Sequence, residues 1–319
     1  GSFFMNAESV SDLLVITAAA VNASGTSVGG ALNVVINDTG AKVILGDNAT
    51  ILASGPVDII SNVTSNVTLG SVTVSISGSQ NQGASAGAIV SVSTNASAAE
   101  TLVGDNAVIT SNSDTIVISA DNAEQVISVL AAVARSGNGG AGAGTVSVLT
   151  TDAKAIAGVG DGAVLTAGND IEINVLGKAM LIDLMLAAAA STDAPAVGAT
   201  IMVNVFNRET GAYIGSDSVL LSRNGCVLVN ADSIENAYII SVAGAAASEN
   251  AISGNIQVNV GTSKVYATIG DNANIKAWDS IGVTADQESK VITISPTVSY
   301  GSNSTAVGAT VQTNILSGE

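Results

Sequence analysis

The chain contains no histidine and only one cysteine, and each shortage removes a class of chemistry. Without imidazole it has no side chain that titrates near neutral pH unperturbed, and it lacks the commonest ligand for zinc or copper. The single thiol, Cys226, excludes an intrachain disulfide and leaves the redox compartment open. Cys226 aligns by spacing with Val57, Thr115, Ile171 and Ile281, so it reads as a small buried hydrophobe. Aromatics make up 3% of residues, too few for a sugar-stacking platform. Basic residues are equally scarce, 9 Lys+Arg against 26 Asp+Glu, for a net charge of −17. That balance repels phosphate backbones and offers nothing to anionic lipid headgroups, so neither nucleic acid nor membrane insertion is expected. Mean hydropathy is high, +0.50, yet no run of about 18 apolar residues exists. The richest stretch, LIDLMLAAAA (181–190), carries Asp183. The opening GSFFMNAESV has no basic start or long apolar core of a secretory signal. The chain stops partway through a repeat, so a piece of a longer protein is expected.

What the chain does have is repetition. IGDNANIKA (269–277) recurs as LGDNATILA (45–53), VGDNAVITS (103–111), VGDGAVLTA (159–167) and IGSDSVLLS (214–222). The shared glycine falls at Gly46, Gly104, Gly160, Gly215 and Gly270, steps of 58, 56, 55 and 55 residues. A fixed period along the whole chain is the mark of a solenoid. Seventeen residues before each glycine stands a small residue, Gly29, Gly87, Ala143, Gly198 and Ser253, with Gly308 continuing the series. Leu32, Val90, Val146, Ile201, Ile256 and Val311 follow three residues after that column, and Val34, Val92, Val148, Val203, Val258 and Thr313 two later. Two aliphatic columns spaced by two indicate strands with these side chains facing the core. Past the glycine the alternation continues through Ile51, Ile109, Leu165, Leu220 and Ile275, and then through Ile59, Val117, Ile173, Leu228 and Val283.

LIDLMLAAAAS (181–191) has the composition of a helix. Its equivalents LLVITAAAV (13–21) and VITISPTVS (291–299) are β-branched, and the latter holds Pro296 where a helix would reject it. Repeats must share a shape to stack, so strand is expected in all. The segments before the small-residue column, NASGTSV, SGSQNQGASA, RSGNGGAG, STDAPAV, SENAI and GSNSTAV, are variable turns or loops.

The fold expected is all-β, a parallel β-helix of about 55-residue repeats forming one domain over 1–319, about five and a half repeats. Solenoid units of this kind close a rung in roughly 20–30 residues, giving two rungs per repeat, or three. With two, about eleven rungs at roughly 4.8 Å make a rod of about 50 Å. GDN becomes a corner, its glycine supplying positive φ or close approach and its Asp and Asn bonding their own backbone.

The GDNA corners, the flanking aliphatics and the AVGATVQTN strand (306–314) resemble the repeats of filamentous-haemagglutinin-like exoproteins, including leukotoxin-like filamentous adhesins. The likeness extends over residues 11–316. It implies a right-handed β-helix, secretion to the bacterial surface or beyond, and a stalk or adhesive role. Partners would be a host-cell surface or extracellular matrix, besides adjoining repeats of the parent chain. It supplies no catalytic, cofactor or metal residues. NSTAVGAT (303–310) and PAVGAT (195–200) also look like head repeats of trimeric autotransporter adhesins, whose shorter period is not found here.

Catalysis is not expected. Enzymes on β-helices cluster carboxylates with a base, whereas Arg135, Arg208 and Arg223 are unaligned. The column Asp47, Asp105, Asp161 and Asp271, at two rungs per repeat, would space its members about 10 Å apart, too far for one metal or one glycosidic bond. The GGxGxDxUx calcium nonapeptide is absent. Trp278 follows an inward alanine and is expected outside. Asn204, Asn259 and Asn314 recur as an amide ladder or a stack of exposed polar residues.

Overall fold

The computed structural model describes residues 1–78 and 83–318, so part of the variable SGSQNQGASA segment lies outside the described residues. Described secondary structure consists of strands and turns alone. The first repeat gives β1 (Phe3–Ala23), β2 (Ser27–Leu45) and β3 (Thr50–Ala53), and the second β4 (Val57–Ser77), β5 (Ser85–Val103) and β6 (Val108–Ser111). The third gives β7 (Ile116–Ser136), β8 (Ala141–Val159) and β9 (Val164–Ala167), and the fourth β10 (Ile171–Ser191), β11 (Ala196–Ile214) and β12 (Val219–Ser222). Then follow β13 (Val227–Ala247), β14 (Ala251–Ile269) and β15 (Asn274–Lys276), and finally β16 (Ile281–Ile294), β17 (Thr297–Gly301) and β18 (Ala306–Gly318).

These strands stack into three parallel sheets, a parallel β-solenoid. Sheet A runs β1-β4-β7-β10-β13-β16, with β17 also on β13; sheet B runs β2-β5-β8-β11-β14-β18; sheet C holds the short strands β3-β6-β9-β12-β15. Phe3 lies beside Val57, Val57 beside Ile116, Ile116 beside Ile171, and Ile171 beside Val227. Each step is one whole repeat. The expectation of two or three rungs per repeat is therefore corrected to one. The polar middles of the long strands pair with one another inside the stack, so the strands run through. A 21-residue strand spans about 70 Å and six rungs rise only about 30 Å. The molecule is broad and flat where a 50 Å rod was expected.

Residues 181–191 are strand throughout, within β10. Pro296 sits between β16 and β17, where its missing N–H costs least. Of the aliphatics after the GDN corner, Ile51, Ile109, Leu165 and Leu220 are buried, the last three completely, and Ile275 near the end of the stack is half-buried. The next column slips: Ile59 pairs with Ile118 and Ile173 with Val229, not with Val117 and Leu228. The turns before β7 and β13 hold one residue more than those before β4 and β10.

Sheet C closes one edge of the section, and there Val57, Ile59, Ile109, Leu165 and Ile171 form a wide core. At the opposite edge sheets A and B meet through short loops, around a second core with Leu69, Leu130, Leu149, Met185 and Met202. This half is thin. A methyl at Gly198 would stand 2.1 Å from the Gly244 carbonyl oxygen, and one at Gly87 3.1 Å from that of Val133. Here the expected orientation is reversed. Gly29, Gly87, Ala143, Gly198 and Ser253 face inward, which puts the columns three and five residues later outside. Val90, Ile201 and Ile256 are 39%, 40% and 44% exposed although flanked by strands on both sides. At the Gly87 and Gly198 level the two sheets leave inner room only for small residues, so the aliphatics three and five positions on lie outside.

Candidate functional site

The GDN corners are built from stacking and from backbone handedness. The left-handed residue is the third of each corner, Asn48 (φ 57°), Asn106 (φ 55°), Gly162 (φ 66°), Asp217 (φ 57°) and Asn272 (φ 57°). Asn, Asp and Gly are the residues that tolerate this region. The first glycine serves close approach: a methyl at Gly104 would lie 2.6 Å from the Asp47 nitrogen of the rung before. The aspartates bond the neighbouring rung, not their own backbone as expected. Asp105 N–H donates to Asp47 Oδ1 at 3.0 Å, Asp161 N–H to Asp105 Oδ1 at 2.9 Å, and Ser216 N–H to Asp161 Oδ1 at 2.7 Å. Their spacing is one rung, about 4.8 Å, half the expected separation. Among the described residues no group of three or more His, Cys, Asp or Glu is placed to hold a metal ion.

Trp278 is outside, 79% exposed. It lies in the turn between sheets C and A, whereas Arg135 lies at the far, thin edge near the end of β7. Trp278 and Arg135 are thus at opposite edges of the section. Cys226 is half-buried, not buried. Its slot is that of Asp170 and Ser280, since Val227 pairs with Ile171 and Ile281. Ser280 Oγ donates to its sulfur at 3.1 Å. The Asn ladder exists and is internal: Asn204 Nδ2 donates to Asn259 Oδ1 at 3.1 Å, and Asn259 Nδ2 to Asn314 Oδ1 at 2.7 Å. Sequence reasoning missed the glycine–aromatic pairs. Tyr213 covers Gly158, Tyr266 covers Gly211 and Phe206 covers Gly261, each directly across one rung. The signal was a glycine and an aromatic one period apart.

The most unusual chemistry lies in the waist between the two cores. Here inward positions of sheets A and B carry polar groups that meet across the interior. Ser11 Oγ donates to Asn37 Oδ1 at 2.9 Å, Asn37 Nδ2 donates to Ser65 Oγ at 3.0 Å and to Asn95 Oδ1 at 2.6 Å, and Asn95 Nδ2 donates to Glu124 Oε1. Glu124 Oε2 pairs with Arg208 Nη1 at 2.9 Å, the glutamate side chain sealed from water and the arginine nearly so. Further along, Ser263 Oγ donates to Glu235 Oε1 at 2.7 Å. Burial pushes the Glu124 carboxyl above the ordinary range, the Arg208 charge and the Asn95 hydrogen bond pull it back, and Asp152 and Glu235 push it up again. Beyond Arg208, toward the last rungs, lies a cavity of ≈ 180 Å³ lined in part by Phe206, Arg208, Glu235, Ser263 and Gln287.

This seam runs along the stacking axis and ties one rung to the next. Glu124 and Arg208 satisfy each other's charge. Their geometry locks the register of the sheets, because a buried pair tolerates no slip. No family model matches the chain, and no curated protein and no solved structure matches it either.

Proposed function

We propose that the chain is a structural and adhesive segment of a secreted or surface-exposed bacterial adhesin, extending the molecule and presenting loops for host or matrix contact. The observation that carries this reading is the register of sheet B, continuous through six rungs, a repeating scaffold whose connecting loops differ in length and sequence. Variable loops repeated at the spacing of a rung suit weak contacts multiplied along one edge. Because each repeat adds a single rung, about 4.8 Å, the segment contributes breadth more than reach. A leukotoxin-type host-cell-binding fragment is the second reading, favoured by the aliphatic outer faces.

The test is binding of the purified chain to epithelial monolayers and to fibronectin- or collagen-coated surfaces. Saturable binding that falls when the thin-edge loops at 137–140 and 192–195 are replaced by Gly-Ser sequences is the expected result. Absence of binding to every one of these surfaces overturns the adhesive reading. Killing of leukocytes by the soluble chain would favour the second.

A further inference from the structure

The outer surface of the thin half is apolar on both faces over the same length of strand. On sheet A the outward columns from Leu14 to Asn22, and their partners in every rung, carry one charged residue, Arg135. On sheet B the outward columns from Val28 to Ile36 carry none among the described residues. Charge returns one outward position further on, with Asp12 and Lys290 on sheet A and Asp38 and Asp152 on sheet B. Each band spans nine residues of strand, about 26–30 Å. That is the thickness of a bilayer's hydrocarbon core.

Four features converge on one occupant. The bands are equal in length and level on the two faces, so together they form a two-sided blade with the short loops at its edge. Tyr238 borders one side of the band and Tyr300 the other, the level at which amphipathic rings sit in a membrane. Inside the blade the polar residues Ser71, Thr73, Ser128, Asp183 and Asn255 lie buried among Leu69, Leu130 and Met185, so the interior is no more apolar than the outer faces. Finally, parallel ladders pair the long strands of successive rungs, which meets the demand that backbone groups in hydrocarbon be satisfied inside the protein; only the edges of the outermost rungs are left for a stacked neighbour. A second copy would find roughly 800 Å² on each face, enough for one ordinary interface. A twofold dimer covers one such face, however, and leaves its twin in water.

We infer that the thin half of the solenoid is a lipid-binding blade, inserting edge-first between acyl chains while the charged, three-sided half stays in water. The inference does not depend on the adhesive role. It departs from the expectation of no membrane insertion, which rested on the scarcity of basic residues and the lack of a long apolar run.

The test uses the full chain and phosphatidylcholine vesicles with or without acyl-chain-brominated lipid. Native Trp278, at the opposite edge, is the reference. Val72→Trp on sheet A and Val90→Trp on sheet B, each combined with Trp278→Phe, report on the two bands. The protein is expected to float with the vesicles, both band tryptophans to be quenched by brominated lipid, and Trp278 to be unaffected. Ile201→Glu with Ile256→Glu, adjacent on one outward column, is expected to abolish flotation with the β circular-dichroism signal retained; should that variant fail to fold, the quenching results decide alone. Protein that remains at the bottom of the gradient overturns the proposal. So does quenching on one face only, or lipid-independent self-association that shields both band tryptophans from the quencher.

Discussion

At the scale of single residues, position in the stack decides cost more than residue type. A methyl at Gly46, in the first corner, meets nothing, whereas at Gly104 and Gly160 it would collide with the aspartate and backbone of the preceding rung. Gly104→Ala and Gly160→Ala are expected to lose about 1–3 kcal/mol, the usual cost of overpacking, and Gly46→Ala to be close to neutral, as measured by chemical denaturation. Asp183 gives a prediction of the opposite sign. It is completely buried in β10, and burial pushes its carboxyl up to about 6 against the pull of Ser128 and Asn204, neither of which is placed well enough to make a full hydrogen bond. Asp183→Asn, which keeps the shape without the charge, is expected to stabilise the fold by about 1–3 kcal/mol at neutral pH; a destabilised variant would mean that Ser128 and Asn204 outweigh the cost of the buried charge.

At the scale of elements, the waist is where two sheets become one body. Arg208→Leu leaves Glu124 buried without its counter-charge, and about 3–5 kcal/mol of stability should be lost at neutral pH. The pH dependence follows from the Glu124 carboxyl, which burial already holds above its ordinary value. An acid whose folded pKa exceeds its unfolded one contributes most to stability at low pH, and that contribution is lost as pH rises through the folded value. Removing Arg208 pushes the carboxyl higher still. The deficit of Arg208→Leu against the unsubstituted protein should therefore be smaller at pH 4 than at pH 7, and urea titrations at the two values check this. Glu124→Leu with Arg208→Met should be milder than Arg208→Leu alone.

The long strands also mark how far the sequence could be followed. Column positions from Gly29 to Gly308 were legible because a solenoid repeats its environment once per turn, and so was strand at 181–191, where Pro296 in an equivalent segment spoke against helix. Facing was not legible. Val90 and Ile201 look like core residues to any rule that sends aliphatics inward, and the rule failed because Gly87 and Gly198 bring the sheets too close for anything larger. The rung count failed because it rested on a usual rung of roughly 20–30 residues, and here strands of up to 21 residues make one rung of a whole repeat. Ser11, Asn37 and Asn95 have the chemistry of turn residues, and only the opposing sheet shows that they bond across the interior. The pair Glu124–Arg208 joins residues from β7 and β11, a proximity that no local spacing announces.

At the scale of the molecule, the structure is a broad plate that is charged and three-sided at one edge and thin and aliphatic at the other. Its width comes from strand length and its height from copy number, so adding a repeat lengthens the stack by one rung without changing the section. This proportion separates it from the slender rod that two rungs per repeat would give. Asp38, Ala96, Asp152, Asn207 and Thr262 form one outward column, which places Asp38 and Thr262 four rungs apart. The most direct measurement is the distance between spin labels on Asp38→Cys and Thr262→Cys, in a Cys226→Ser background, by pulsed electron resonance. One rung per repeat predicts a separation near 19 Å at roughly 4.8 Å per rung, widened only by the label arms. A separation near 38 Å, as two rungs per repeat would require, would contradict the account.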